Sequence, residues 1–161
     1  AIASFDELLF KQVVEVMHSL DEKKLLTHLQ TLNIYGCSPM CMAIRLRQRR
    51  TVFFFRSLGA GITSSELDTV SGELLEAAET GDLEMIMLLF YAGLEDLNSI
   101  KSVDGKTIGH IAAFLGHSAI IVFLRNETKF NFQEKDSYNL TPYDEAVQGN
   151  NVLIQQMLGI R

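Results

Sequence analysis

A chain of 161 residues with 47% hydrophobic side chains and only two prolines has room for one sizeable core, or for four to five helical units of thirty-odd residues. No apolar run approaches the roughly 18 residues of a membrane span, and the start lacks a basic-then-apolar pattern, so the expected setting is cytoplasmic with no membrane partner. A net charge of −6 argues against general nucleic-acid binding, and two cysteines, Cys37 and Cys41, are too few for a secreted disulfide framework or a zinc site.

Taken in order, Ser4 to Leu32 reads as two helices. Ser4-x-x-Glu7 and Ser19-x-x-Glu22 are capping boxes, in which hydroxyl and glutamate satisfy orphan N–H groups at a helix start. Leu9, Val13, Val16 and Leu20 form one apolar stripe, and Leu25, Leu26 and Leu29 the next. The span 1–32 is therefore expected to be a degenerate helical pair acting as an N-terminal cap. His18 and His28 lie there with no cysteine or carboxylate at metal spacing.

From residue 33 onward the chain repeats itself. Ala43-Ile44, Ala77-Ala78, Ala112-Ala113 and Ala146-Val147 recur at intervals of 34, 35 and 34 residues. Both prolines fall in register, Ser38-Pro39 and Thr141-Pro142, at the first turn of a helix, where a missing N–H costs little. In the clearest unit, Asp104 to Glu127, a turn at Asp104-Gly105 leads to Thr107 as a cap, then His110 and two small alanines, a stop at Gly116-His117, and a second apolar run. Each unit is helix, turn, helix, and neither helix can bury its apolar face alone, so the units must stack. The expected units are 33–60, 61–98, 99–133 and 134–161. The second begins with an extra helical turn from the box Thr63-Ser64-Ser65-Glu66, and the last is a polar cap in which Asp144, Asn150 and Asn151 replace the histidine and Gly-His of its neighbours.

This order of residues resembles the ankyrin repeat over roughly residues 33 to 158. The resemblance implies an all-α solenoid of stacked helix-turn-helix units with short hairpin loops, and a protein-binding scaffold. More narrowly, Ser65-Glu66-Leu67, Gly72-Glu73-Leu74 and the Thr141-Pro142 ending are similar to the C-terminal ankyrin region of cytosolic asparaginases also described as lysophospholipases. The Gly81-Asp82 turn and the same ending also resemble glutaminase ankyrin repeats and those of plant potassium channels. An asparaginase context implies catalytic threonines in another domain, with this chain a non-catalytic module for domain docking or oligomerisation. The alternatives are a stand-alone adaptor or a channel module.

Candidate sites follow from the residues. No nucleophile with a base, paired carboxylate or metal cluster is legible, so no catalytic, metal or cofactor residue is expected. His110 and His117 are expected to hydrogen-bond turns between units. By family resemblance the concave face binds ligands, and Tyr35, Met42, Leu46, Val103, Lys106, Ile111, Phe114, Leu115, Tyr138 and Leu140 fall there. Their aromatic and Met content favours a protein partner. Aligning Val52, Ile86 and Ile121 inside the second helices places Phe53, Met87 and Val122 on a convex docking row. Five arginines and no acid lie between Arg45 and Arg56, against ten acids from Glu66 to Asp104. That asymmetry reads either as pairing between units or as an anion patch at Arg45, Arg47, Arg49 and Arg50.

Overall fold

A computed structural model describes Lys24, Thr27, Leu29, Thr31, Leu32 and residues 36–159. The expected N-terminal helical pair, with His18 and His28, lies almost wholly outside the described residues, as does Tyr35. Among the described residues every regular element is helical and there is no strand. The loops expected as short hairpins carry no strand. The described residues fall into two compact units, one ending at Leu67 and including Tyr91–Gly93, the other comprising Asp68–Phe90 and the chain from Leu94.

In the first unit, α1 (Pro39–Arg45) starts where Ser38 caps it, the Cys41 N–H donating to Ser38 Oγ at 3.2 Å, with Pro39 at the first helical position. A turn through Arg47 leads to α2 (Arg49–Ser57). Met40, Ile44, Val52 and Phe55 are buried, each aliphatic side chain of this kind contributing about 1.5–3 kcal/mol. The following turn, Ser64–Glu66, is 3₁₀-helical and closes the capping box read from the sequence, with the Thr63 N–H donating to Glu66 Oε2 at 3.1 Å. The other Glu66 oxygen accepts the Ser38 N–H at 2.7 Å, so one buried carboxylate ties the start of α1 to the start of this 3₁₀ turn.

The second unit comprises α3 (Leu67–Thr80) and α4 (Leu83–Tyr91), except for the end residues Leu67 and Tyr91, and then α5 (Ile108–Leu115), α6 (Ser118–Glu127), α7 (Pro142–Gln148) and α8 (Val152–Gly159). The pairs α5/α6 and α7/α8 lie side by side: α5 packs on α7, α6 touches α8, and each helix packs on its own partner. Ile108, Ile120, Ile121, Leu124 and Ile154 are almost fully buried. Two loops repeat one geometry: the Ser102 N–H donates to Lys106 O at 2.9 Å, and the Asp136 N–H to Leu140 O at 3.0 Å. The cross-links between the pairs also repeat. Asn98 Nδ2 donates to Asn131 O while the Asn131 N–H returns to Asn98 Oδ1, and Lys101 pairs with Glu134, each across 33 residues.

The same backbone conformation recurs where the first helix of each pair gives way to the second. Arg47, Gly81, Gly116 and Asn150 all have positive φ, at 57°, 77°, 83° and 56°. Gly116 illustrates the need: it caps α5 in the left-handed region, where a side chain would crowd the backbone.

Candidate protein-binding face

His110 and His117 hold turns in place, and their partners fix the protons. His110 Nδ1 accepts the Thr107 N–H at 3.2 Å, and a carbonyl can only accept, so Nε2 carries the proton and donates to Leu140 O at 2.9 Å. His117 Nε2 likewise donates to Glu79 O at 3.1 Å, across 38 residues. In the last pair Asn151 takes that place: its Nδ2 donates to Ala113 O at 2.8 Å, again across 38 residues. Asp144 takes the place of His110 only halfway, accepting the Thr141 N–H at 2.8 Å to close a capping box.

Around these fixed turns, the candidate binding residues divide by exposure. Met42 and Leu46 are exposed in the first unit, and Phe114, Leu115, Val103 and Tyr138 in the second. Val103 is fully exposed at one turn, and Tyr138 is 65% exposed at the next. Ile111 is different: at 9% exposure it belongs to the core, because the α5 face that carries it is covered. Lys106 is committed as well. Its Nζ lies 2.7 Å from the fully buried Glu145 carboxylate and 5.6 Å from the centre of the Phe114 ring, so it serves as a buried acid's counter-ion. Leu140 is half-buried and works through its backbone, its N–H donating to Asp136 Oδ1 at 3.0 Å and its carbonyl held by His110.

Two carboxylates that shape this region went unremarked as sites in the sequence. Burial opposes charge at Asp136, but N–H donors from Leu140 and Tyr138 outweigh it and hold the carboxyl below its ordinary value. Its signal was the Asp-Ser-Tyr-Asn-Leu turn, where an aspartate side chain commonly bonds the backbone two residues on. Glu145 carried no signal, since nothing local says that a glutamate in Tyr-Asp-Glu-Ala is buried.

The other candidates fall as follows. Val52, Ile86 and Ile121 are buried. The residues after the first and last of them, Phe53 and Val122, are 49% and 43% exposed, and Met87 is half-buried. Phe53 leans on Tyr91 with ring centres 5.3 Å apart. All four patch arginines, Arg45, Arg47, Arg49 and Arg50, are exposed, and Arg45 Nη1 donates to Cys37 Sγ at 2.8 Å. Cys37 and Cys41 are buried and form no disulfide. Among the described residues no group of three or more His, Cys, Asp or Glu side chains is placed to hold a metal ion, and no helix is long and apolar enough to cross a membrane. A groove of about 260 Å³ lined by Glu95, Asn98, Lys129 and Phe130 is smaller than the roughly 300–1,000 Å³ of most small-molecule sites.

No family model matches the chain. It is similar to a putative glutaminase 2 of Caenorhabditis elegans, at 40% identity over 73 residues, covering 45% of this chain and 12% of that protein. It is also similar to the mitochondrial liver-isoform glutaminases of Mus musculus and Rattus norvegicus, at 33% and 34% identity over 85 residues, 53% of this chain and 14% of each. The matches thus span only about an eighth of those relatives. All three are glutaminases, so the similarity falls on the second of the comparisons drawn from the sequence, and the asparaginase comparison has no support. Two are named as mitochondrial, which sets them apart from the cytoplasmic placement expected from the sequence.

Proposed function

We propose that this chain is a non-catalytic, ankyrin-type repeat module of a larger glutaminase-like protein, and that it binds protein through the exposed residues of its turns and first helices. The observation that carries the repeat reading is the pair of links His117 to Glu79 O and Asn151 to Ala113 O, two different side chains making one bond at one spacing of 38 residues. A bond conserved in geometry while its donor changes is what a stacked repeat requires, because each pair must satisfy the carbonyls at the end of the one before it. The similarity to glutaminases over a small share of their length supports the larger context.

The proposed binding residues are Phe114, Leu115, Val103 and Tyr138 in the second unit and, taken by itself, the pair Met42 and Leu46 in the first. Exposed aromatic and aliphatic side chains on a rigid frame suit a protein partner, since such residues are enriched at interface cores. Ile111, Lys106 and Leu140 support that surface from beneath. The isolated chain is expected to show no glutamine hydrolysis above buffer, and turnover that survives purification to homogeneity overturns the non-catalytic reading.

A further inference from the structure

Beneath the turn that carries Tyr138, two acids meet. Asp136 and Glu145 are 7% and 0% exposed, and their carboxyl groups are hydrogen-bonded to each other. Their contacts with other groups use one oxygen of each. Asp136 Oδ1 accepts the N–H groups of Tyr138 at 2.9 Å and Leu140 at 3.0 Å, and Glu145 Oε1 lies 2.7 Å from Lys106 Nζ. That leaves Asp136 Oδ2 and Glu145 Oε2 buried with no donor reaching them. Two ionised carboxylates offer only acceptors and cannot bond one another, so the contact between these two needs a proton.

We infer that Asp136 and Glu145 share one proton in the folded chain, held between Oδ2 and Oε2, and that this proton latches the 136–140 turn to α7. The surrounding charges agree. Of the helices packed on α7, α5 brings His110, whose Nδ1 accepts the Thr107 N–H, and α8 has no titratable side chain. The loop before α5 brings exposed Asp104 and Lys106; the loop before α7 brings Glu134, paired with Lys101, and exposed Lys135 and Tyr138. On α7 itself Tyr143 is exposed and Asp144 is bonded to Thr141. Lys106 therefore balances one buried negative charge, and the proton removes the second, which is costly to bury without a counter-ion. A metal ion fits less well, since among the described residues no third ligating side chain joins the two acids. The proton belongs to the carboxyl pair rather than to either acid. An unfolded carboxyl loses its proton at about pH 4.3, and the folded pair keeps one to higher pH. With the folded value raised, the latch contributes fully below the unfolded value, and its contribution is lost as pH rises through the folded one. The inference is independent of the glutaminase context.

The test uses amides as permanent donors. In Glu145→Gln the new N–H group can bond Asp136 Oδ2 at any pH, while the amide oxygen still accepts from Lys106; Asp136→Asn offers the same bond in reverse. The full chain, carrying carbon-13 at its side-chain carboxyls, is titrated by nuclear magnetic resonance from about pH 3 to about pH 8, and unfolding by urea is measured over the same range. One carboxyl resonance, absent in one or other variant, is expected to keep its protonated position at about pH 6, where an ordinary carboxyl is almost wholly ionised. The amide resonances of Tyr138 and Leu140 are expected to move when that proton leaves. Across the window the unfolding constant of the parent is expected to rise by up to about tenfold per pH unit relative to Glu145→Gln, the signature of one proton. Ionised positions for every carboxyl of the unaltered chain at about pH 6 overturn the shared proton, whether or not the variants fold. Equal pH slopes in the parent and Glu145→Gln, or turn amides that ignore the step, overturn the latch.

Discussion

At the scale of single residues, the account rests on side chains that satisfy backbone groups outside their own helix. His117→Ala removes the donor to Glu79 O and is expected to cost about 1 kcal/mol in denaturant unfolding. His117→Asn is expected to recover part of that loss, because Asn151 makes the equivalent bond in the last pair. Equal losses for both variants would separate the two links. Gly109 is constrained by close approach: a Cβ there would lie 2.5 Å from the Phe130 ring, so Gly109→Ala is expected to destabilise by about 1–3 kcal/mol. The roles of His110 and His117 were legible because histidine at a helix start and after a stop signal recurs in one register. Glu145 was not legible. Its burial depends on Lys106, 39 residues earlier, and no local pattern encodes a partner at that distance.

At the scale of elements, helix starts decide the architecture. Ser38, Thr63, Thr107 and Thr141 each open a helix or turn; the residue three positions on from the three threonines, Glu66, His110 or Asp144, closes a capping box, and Glu66 and His110 also reach beyond it, to the Ser38 N–H and the Leu140 carbonyl. The caps and stops could be read from the sequence because capping chemistry is local. Loop detail could not: the loops at 102–106 and 136–140 each close with two backbone bonds and no strand, and whether short loops pair as strands depends on neighbours the local sequence does not name. Two of the acids tie pH to stability. Burial opposes the charge on Glu66, but the N–H of Ser38 and the donors of Thr63 prevail and lower it below 4.5; Asp136 is likewise lowered below 3.8. With folded values depressed, both contribute fully above those ordinary values, and the contribution is lost as pH falls from there through the lower folded values. Thermal midpoints are therefore expected to fall with acidification below about pH 4.5, and the fall is expected to be shallower in Glu66→Gln, measured by circular dichroism from pH 7 to 3. An unaltered profile in that variant would remove Glu66 from the explanation.

At the scale of the whole molecule, exposed apolar side chains lie on turns and on both helices of the pairs, Phe53, Val122, Val152 and Leu153 on second helices among them, while polar links run between pairs. The residues proposed for binding differ from those that make these links, so the proposed function can be tested separately from folding. Register put Ile111 and Lys106 on the expected face, yet Ile111 is buried and Lys106 is paired with Glu145, because periodicity assigns a face without saying how deeply a neighbouring helix covers it. The most direct test of the binding claim is titration of the chain against a glutaminase from which the equivalent segment has been deleted, read by sedimentation velocity. The account predicts a complex with the parent chain that is lost in Phe114→Asp combined with Tyr138→Asp, two exposed positions whose change leaves the circular dichroism and thermal midpoint of the chain unaltered. No complex with the parent chain, or one the double variant forms equally well, would contradict it.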